Sequence, residues 1–132
     1  KELAEMKKKT KILGVSMLTN LDNHDLKRMG VSCGHKKFVE NLVKIGVRAG
    51  VDGIVSSAKE VKYLKNKYKS LIFITPGIRL PKDKKNDQKR IESPRFAIKA
   101  GSNILVIGRP ITKSKNPVNA IKKIIENIEY GK

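Results

Sequence analysis

Four short apolar runs, separated by longer amphipathic segments, constrain the fold of this chain more than any other feature. The runs cover residues 11–17, 52–56, 71–75 and 103–108, and they place apolar, often β-branched residues at consecutive positions. Such runs are typical of parallel strands that are buried on both faces. The intervening segments repeat apolar residues at helical spacing. The sequence therefore predicts an α/β chain of four consecutive parallel (β/α) units.

Two predicted helices carry explicit start and stop signals. Ser93 precedes Pro94 at the start of one helix, and Gly101 follows its end. Asn116 precedes Pro117 in the same way at the start of the last helix. These are preferred N-cap, first-turn and C-terminal residues. The apolar stripe of the last helix comprises Val118, Ile121, Ile124, Ile125 and Ile128.

The length of the chain leaves two architectures open. Its 132 residues are fewer than the roughly 250 of a complete (β/α)8 barrel. Four (β/α) units in a row form either a small doubly wound sheet or half of a barrel, and periodicity alone does not distinguish them. We expect residues 1–132 to be a single domain in which residues 1–10 hold the end of a preceding helix.

Composition restricts the location and the partners. The chain has no apolar run of about 20 residues, so we expect no membrane partner. The single cysteine, Cys33, excludes an internal disulfide, and we expect a cytoplasmic protein. The net charge of +18 suggests a polyanionic partner such as nucleic acid. However, lysine supplies most of the positive charge and aromatic residues make up only 5%, so nucleic-acid binding remains the alternative.

Candidate binding residues follow the third and fourth runs. The third run leads into Thr75-Pro76-Gly77-Ile78-Arg79, and the fourth leads into Gly108-Arg109. A glycine allows close approach of the backbone to an anion, and an arginine offers a bidentate contact beside it. Loops after the last two strands of (β/α)8 barrels often bind phosphate. The sequence therefore predicts a phosphate site that is formed by these two loops.

Five strings, in this order and spacing, resemble those of bacterial orotidine 5'-phosphate decarboxylases, and the resemblance spans about residues 11–130. The strings are Gly14-Val15-Ser16-Met17-Leu18-Thr19, Gly50-Val51-Asp52-Gly53-Ile54-Val55-Ser56-Ser57-Ala58, Thr75-Pro76-Gly77-Ile78-Arg79, Asn86-Asp87-Gln88-Lys89-Arg90 and Val106-Ile107-Gly108-Arg109-Pro110-Ile111-Thr112. This resemblance implies the C-terminal half, strands 5 to 8, of a TIM (β/α)8 barrel. It also implies a lyase of pyrimidine biosynthesis that requires no cofactor or metal.

The resemblance implies a role for each matched site residue. The Thr19 hydroxyl would contact the pyrimidine ring, and Pro76 would form a wall of the base pocket. The amide of Gln88 would lie on a loop that closes over the nucleotide. The phosphate would be held by Arg79, Gly108 and Arg109. The expected ligand is orotidine 5'-phosphate or its product UMP.

The resemblance also shows what this sequence lacks. The family decarboxylates with an Asp-x-Lys-x-x-Asp motif, which does not occur here. Lys27 and Lys85 each follow an aspartate by two residues, but Gly30 and Gln88 stand where the second aspartate is needed. We therefore expect no catalytic residue in this chain and no activity of the chain alone. The expected partner is the missing N-terminal half-barrel or a second copy in a homodimer; an inactive relic is the remaining alternative.

Overall fold

The computed structural model describes residues 1–81 and 89–130, which form four strands and seven helices. The strands are β1 (Leu13–Val15), β2 (Gly53–Val55), β3 (Ile72–Thr75) and β4 (Ile104–Leu105). The helices are α1 (Glu2–Met6), α2 (Asn23–Arg28), α3 (His35–Arg48), α4 (Ala58–Lys67), α5 (Pro94–Ala100), α6 (Arg109–Thr112) and α7 (Pro117–Tyr130). Each strand lies within one of the predicted apolar runs.

The four strands form one parallel sheet in the order β1-β2-β3-β4. Spatial order therefore follows chain order, as successive units of a (β/α) barrel require. The prediction of four parallel (β/α) units is confirmed. Because all four strands point the same way, the loops at their C-terminal ends leave the sheet at one edge.

One face of the sheet is covered by helices and carries the core. Ile54 and Phe73 are paired in register on β2 and β3, and both are buried. They belong to a cluster that also contains buried residues of α3 and α4, namely Val39, Val43, Val61 and Leu64. Apolar burial of this kind stabilises a domain by roughly 25 cal/mol for each Å² removed from water.

The opposite face of the sheet is partly open, which corrects the expectation of strands buried on both faces. Val15 of β1 is 60% exposed and Ile104 of β4 is 52% exposed. These residues lie in one register row with Val55 and Ile74 of the two central strands. Among the described residues the helices pack on the other face, so the edge strands are covered on one side only.

The helix signals are confirmed, whereas burial of the α7 stripe is not. The Ser93 hydroxyl accepts a hydrogen bond from the amide of Phe96, and Gly101 ends α5 with φ of 102°. Asn116 accepts a hydrogen bond from the amide of Asn119 at the start of α7. Of the predicted α7 stripe only Ile124 is fully buried, because the contacts of α7 with α5 and α6 cover only part of that helix.

Asp52 ties the start of the chain to the sheet. Its carboxylate accepts hydrogen bonds from the amide of Ile12 at 2.8 Å and from the ammonium of Lys7 at 2.6 Å. These bonds, the one from Lys7 above all, lower the pKa of Asp52 from 3.8 to about 2.

In the described part of the chain, no helix is long and apolar enough to span a membrane.

We predict that the Asp52 carboxylate makes stability depend on pH between about 4 and 2. Folding lowers this pKa, so the stabilisation is complete above the unfolded-state value of 3.8 and is lost as the pH falls towards 2. Asp52→Asn should therefore reduce the loss of stability over that range. Urea unfolding at a series of pH values measures it.

The two lysines on this carboxylate provide the control. The Lys7 side chain lies at 2.6 Å and is 23% exposed, whereas that of Lys11 lies at 3.4 Å and is 66% exposed. Lys7→Met should flatten the pH dependence more than Lys11→Met, because an exposed ion pair contributes little. An unchanged pH dependence in Asp52→Asn would contradict the assignment.

Candidate functional site

The predicted site residues follow three of the four strands. Thr19 follows β1, Pro76 and Arg79 follow β3, and Gly108 and Arg109 follow β4. Since the strands are parallel, these residues belong to loops at one edge of the sheet. Gln88 lies outside the described residues.

The loop after β1 and the loop after β3 are in direct contact. Thr19 is buried, and its carbonyl accepts hydrogen bonds from the amides of Lys89 at 3.2 Å and Arg90 at 3.1 Å. Gly77 has φ of 75°, and a Cβ at this position would lie 2.7 Å from the carbonyl oxygen of Arg90 and 3.4 Å from Cγ2 of Thr19. The glycine is therefore required both by its backbone angle and by the close approach of the two loops.

Arg79 is held by the returning arm of its own loop, which is formed by residues 90–92 before α5. Its amide donates to the carbonyl of Glu92 at 3.0 Å, and the amide of Glu92 donates to the carbonyl of Gly77 at 3.2 Å. The guanidinium Nη1 donates to the carbonyl of Ile78 at 2.7 Å, and the residue is only 6% exposed. Burial and hydrogen bonding restrict this side chain before any ligand binds.

Gly108 and Arg109 lie at the start of a short helix, where the sequence predicts a loop. Gly108 is the N-cap of α6, and its carbonyl accepts from the amides of Ile111 at 2.9 Å and Thr112 at 3.0 Å. Among the described residues, its two chain neighbours apart, no heavy atom lies within 4 Å of the position that a Cβ on Gly108 would occupy. The backbone at Gly108 is therefore sterically accessible, beside the half-buried Arg109.

The loops after β3 and β4 face a common cavity. Leu80 and Pro110, which follow the two arginines directly, line a cavity of about 300 Å³. Lys115 and Lys123 line the same cavity. The structure thus brings the residues next to Arg79 and Arg109 together, although neither arginine lines this cavity.

An acidic cluster lies beside the loop after β3. Asp22 and Asp25 form a capping box at the start of α2, and the Lys89 ammonium donates to both carboxylates, at 2.9 and 2.7 Å. These hydrogen bonds lower the pKa of Asp22 to about 2 and also lower that of Asp25. The His24 imidazole lies within 4.8 Å of them. Lys89 thus connects α2 to the loop that carries Arg79.

Sequence reasoning missed a buried ion pair at the same edge of the sheet. Glu60, only 1% exposed, pairs with Arg90. Its other carboxylate oxygen accepts from the amide of Ser57 at 3.0 Å. A signal existed, because Ser57-x-x-Glu60 matches the capping-box pattern. Nothing in that pattern indicated the pairing with a residue 30 positions away.

These features define a class of protein. Parallel (β/α) units in which strand order follows chain order, with helices on one sheet face, are the construction of (β/α)-barrel proteins. The comparisons then give the family. The model of the orotidine 5'-phosphate decarboxylase / HUMPS family matches residues 1–124, and the chain belongs to that family.

The relatives agree with this assignment and are longer than this chain. Orotidine 5'-phosphate decarboxylase of Coxiella burnetii is 43% identical over 125 residues, which are 94% of this chain and 53% of that protein. The enzyme of Ehrlichia chaffeensis is 47% identical over 121 residues, 90% of this chain and 52% of that protein. The chain thus spans about half the length of these relatives. None of these likenesses supports the nucleic-acid-binding alternative.

A solved structure extends the likeness to the fold. The crystal structure of orotidine 5'-phosphate decarboxylase from Lactobacillus acidophilus superimposes with a TM-score of 0.71 at 30% identity. The match covers 94% of this chain and 51% of that one. The interpretation of the (β/α) units as part of a TIM barrel, and not as a doubly wound sheet, is therefore confirmed.

We predict that Gly77→Ala destabilises the chain more than Gly30→Ala. Both glycines have positive φ, 75° and 78°, but a Cβ at Gly30 would meet no heavy atom of the described residues within 4 Å, its chain neighbours apart. Gly30→Ala should therefore cost only the left-handed conformation, about 1 kcal/mol. Gly77→Ala adds overpacking against the Arg90 carbonyl, about 1–3 kcal/mol more.

Urea unfolding of the two variants measures this difference. Equal losses in the two variants would mean that the loops after β1 and β3 separate easily, and would contradict the close contact at Gly77.

Proposed function

We propose that this chain is the substrate-binding half of an orotidine 5'-phosphate decarboxylase, the enzyme that converts orotidine 5'-phosphate to UMP in pyrimidine biosynthesis. The observation that carries the proposal is the position of Arg79 and of Gly108-Arg109 just after the adjacent parallel strands β3 and β4, at one edge of the sheet. Membership of the family supports the same conclusion. A phosphate group is the ligand for which two such arginines are suited.

The proposed roles follow the order of the strands. Arg79 and Arg109 would neutralise the phosphate, and the accessible backbone at Gly108 would approach its oxygens. Thr19, buried beside Gly77, would contact the pyrimidine through its hydroxyl, with Pro76 as a wall of the base pocket. Gln88 would complete the closure over the nucleotide. No residue of this chain is proposed to transfer a proton.

A complementary N-terminal half-barrel, in the same polypeptide or in another, would supply the chemistry. The sequence lacks the Asp-x-Lys-x-x-Asp motif, and the chain spans about half of its relatives. The open sheet face presents Leu13, Val15 and Ile104 to solvent, and exposed apolar patches of this kind mark interaction sites. We propose that the complementary half-barrel covers this face in the cytoplasm. A homodimer would unite two chains of net charge +18, which repel each other.

Remote binding of the phosphate would contribute to catalysis in the assembled enzyme. Binding energy from a non-reacting part of a substrate can stabilise the closed state in which the reacting carbon is constrained. The half described here would therefore provide orientation and binding, and the other half would provide the carboxylates and the lysine.

We predict that Arg109→Ala weakens UMP binding by roughly 10- to 150-fold, because a charge-assisted bidentate contact contributes about 1.5–3 kcal/mol. Lys113→Ala and Lys115→Ala are the controls, since both lysines are exposed on the same segment. Calorimetric titration at fixed ionic strength measures all three variants. Equal small losses would indicate a diffuse positive field and would favour the nucleic-acid-binding alternative.

We predict that the purified chain alone does not decarboxylate orotidine 5'-phosphate, because it has no counterpart of the catalytic lysine. Adding an N-terminal half-barrel that contains Asp-x-Lys-x-x-Asp should restore turnover. Val15→Lys, which places a charge on the open sheet face, should prevent that restoration. Lys44→Glu, a charge change at an exposed residue of α3, serves as the control for Val15→Lys. Turnover by the chain alone, purified from a host that lacks its own decarboxylase, would contradict the prediction.

A further inference from the structure

We propose that Glu60 and Arg90 form a buried brace that positions the strand-end loops for binding of the phosphate ester. The inference deepens the proposed function and rests on it for the identity of the ligand. Neither residue is proposed to touch the ligand, so both are positioning residues. The Glu60–Arg90 brace is defined by the ion pair between these two side chains.

The carboxylate end of the brace is anchored at the end of β2. Glu60 is 1% exposed, and one of its oxygens pairs with Nη1 of Arg90. The other oxygen accepts from the hydroxyl of Ser56 at 2.8 Å and from the amide of Ser57 at 3.0 Å. Both carboxylate oxygens are therefore engaged, and the acid cannot turn without breaking several hydrogen bonds.

The guanidinium end of the brace holds the loop after β1. Nη2 of Arg90 donates to the carbonyl of Met17 at 2.9 Å and to the carbonyl of Leu18 at 2.8 Å. The Arg90 amide donates to the carbonyl of Thr19 at 3.1 Å. One residue from the loop after β3 thus contacts three consecutive carbonyls at the end of β1.

The brace also acts on the segment that contains Arg79. Two residues beyond Arg90, Glu92 exchanges backbone hydrogen bonds with Gly77 and Arg79. Displacing Arg90 would shift this returning arm and with it the backbone of Arg79. The brace therefore joins the ends of β1, β2 and β3, and two of these three ends carry residues of the proposed site.

Stability alone is a weak explanation for this arrangement. A buried ion pair is frequently no more stabilising than apolar residues of similar volume, because both charges lose their hydration. In the described part of the chain, Nε of Arg90 is buried without a hydrogen-bond partner, which adds to that cost. The hydrogen bonds of the guanidinium instead fix loop positions, which is the property that a preorganised binding site needs.

Hydrogen exchange and ligand titration of the 132-residue chain test the proposal. The brace variants are Arg90→Met and the double variant Glu60→Gln/Arg90→Met, which leaves no unpaired buried charge. The matched controls are Lys67→Met and Glu40→Gln/Lys67→Met, which remove an ion pair of 2.8 Å between α3 and α4. The reporters are the amides of Arg79 and Glu92, followed by NMR, and the affinity for UMP, followed by calorimetry.

In the brace variants, exchange at the Arg79 and Glu92 amides should accelerate about tenfold relative to the controls, with amides in the middle of α3 and α4 unchanged. UMP should bind about tenfold more weakly in the brace variants, and the controls should bind as the parent chain does. Uniform acceleration along the chain, or equal effects in brace and control variants, would overturn the proposal. Failure of the parent chain to bind UMP would refute the proposed function, whereas unchanged exchange at both amides would refute the brace.

Discussion

The parallel pairing of the four strands is the constraint on which the rest of the structure depends. Parallel neighbours require a crossover between every two strands, and here the crossovers run through helices that pack on one face of the sheet. The same alignment sends every strand-end loop to one edge. The core around Ile54 and Phe73 and the position of Arg79 and Arg109 at one sheet edge are both consequences of this single arrangement.

The open sheet face is the second consequence. In a complete (β/α)8 barrel, inward-pointing side chains from all strands fill the interior. Here the registered row of Val15, Val55, Ile74 and Ile104 lies on the sheet face opposite the helices, which corresponds to such an interior, and its outer members remain exposed. Exposed apolar residues also occur elsewhere, at Leu13 on β1 and at Val118, Ile121 and Ile125 on α7. The open sheet face thus has the apolar composition of a barrel core, because half of a barrel does not enclose that face.

The strand-end loops are ordered by polar contacts and not by apolar packing alone. Carbonyl groups at the end of β1 accept hydrogen bonds from Arg90, and the arms of the loop after β3 pair with each other near Gly77. Loops on a protein surface are ordinarily the most mobile parts of a fold. The proposed site, which would hold a small anion between two arginines, would require such fixed supports, because a displacement of about 1 Å can cost a large part of the binding or rate advantage.

The sequence by itself determined the elements and the family. Apolar runs located all four strands, and Ser93, Gly101 and Asn116 marked helix ends, because caps and periodicity are local properties of the chain. Five matched strings indicated the family and its candidate residues. Only the tertiary structure decided which apolar residues are covered and which polar groups meet. Exposure of Val15 and Ile121 depends on neighbours that no local pattern specifies, and the pairing of Glu60 with Arg90 joins positions 30 residues apart. Local patterns constrain what lies within a few residues along the chain, whereas long-range contacts arise only when parallel strands bring distant loops to the same edge.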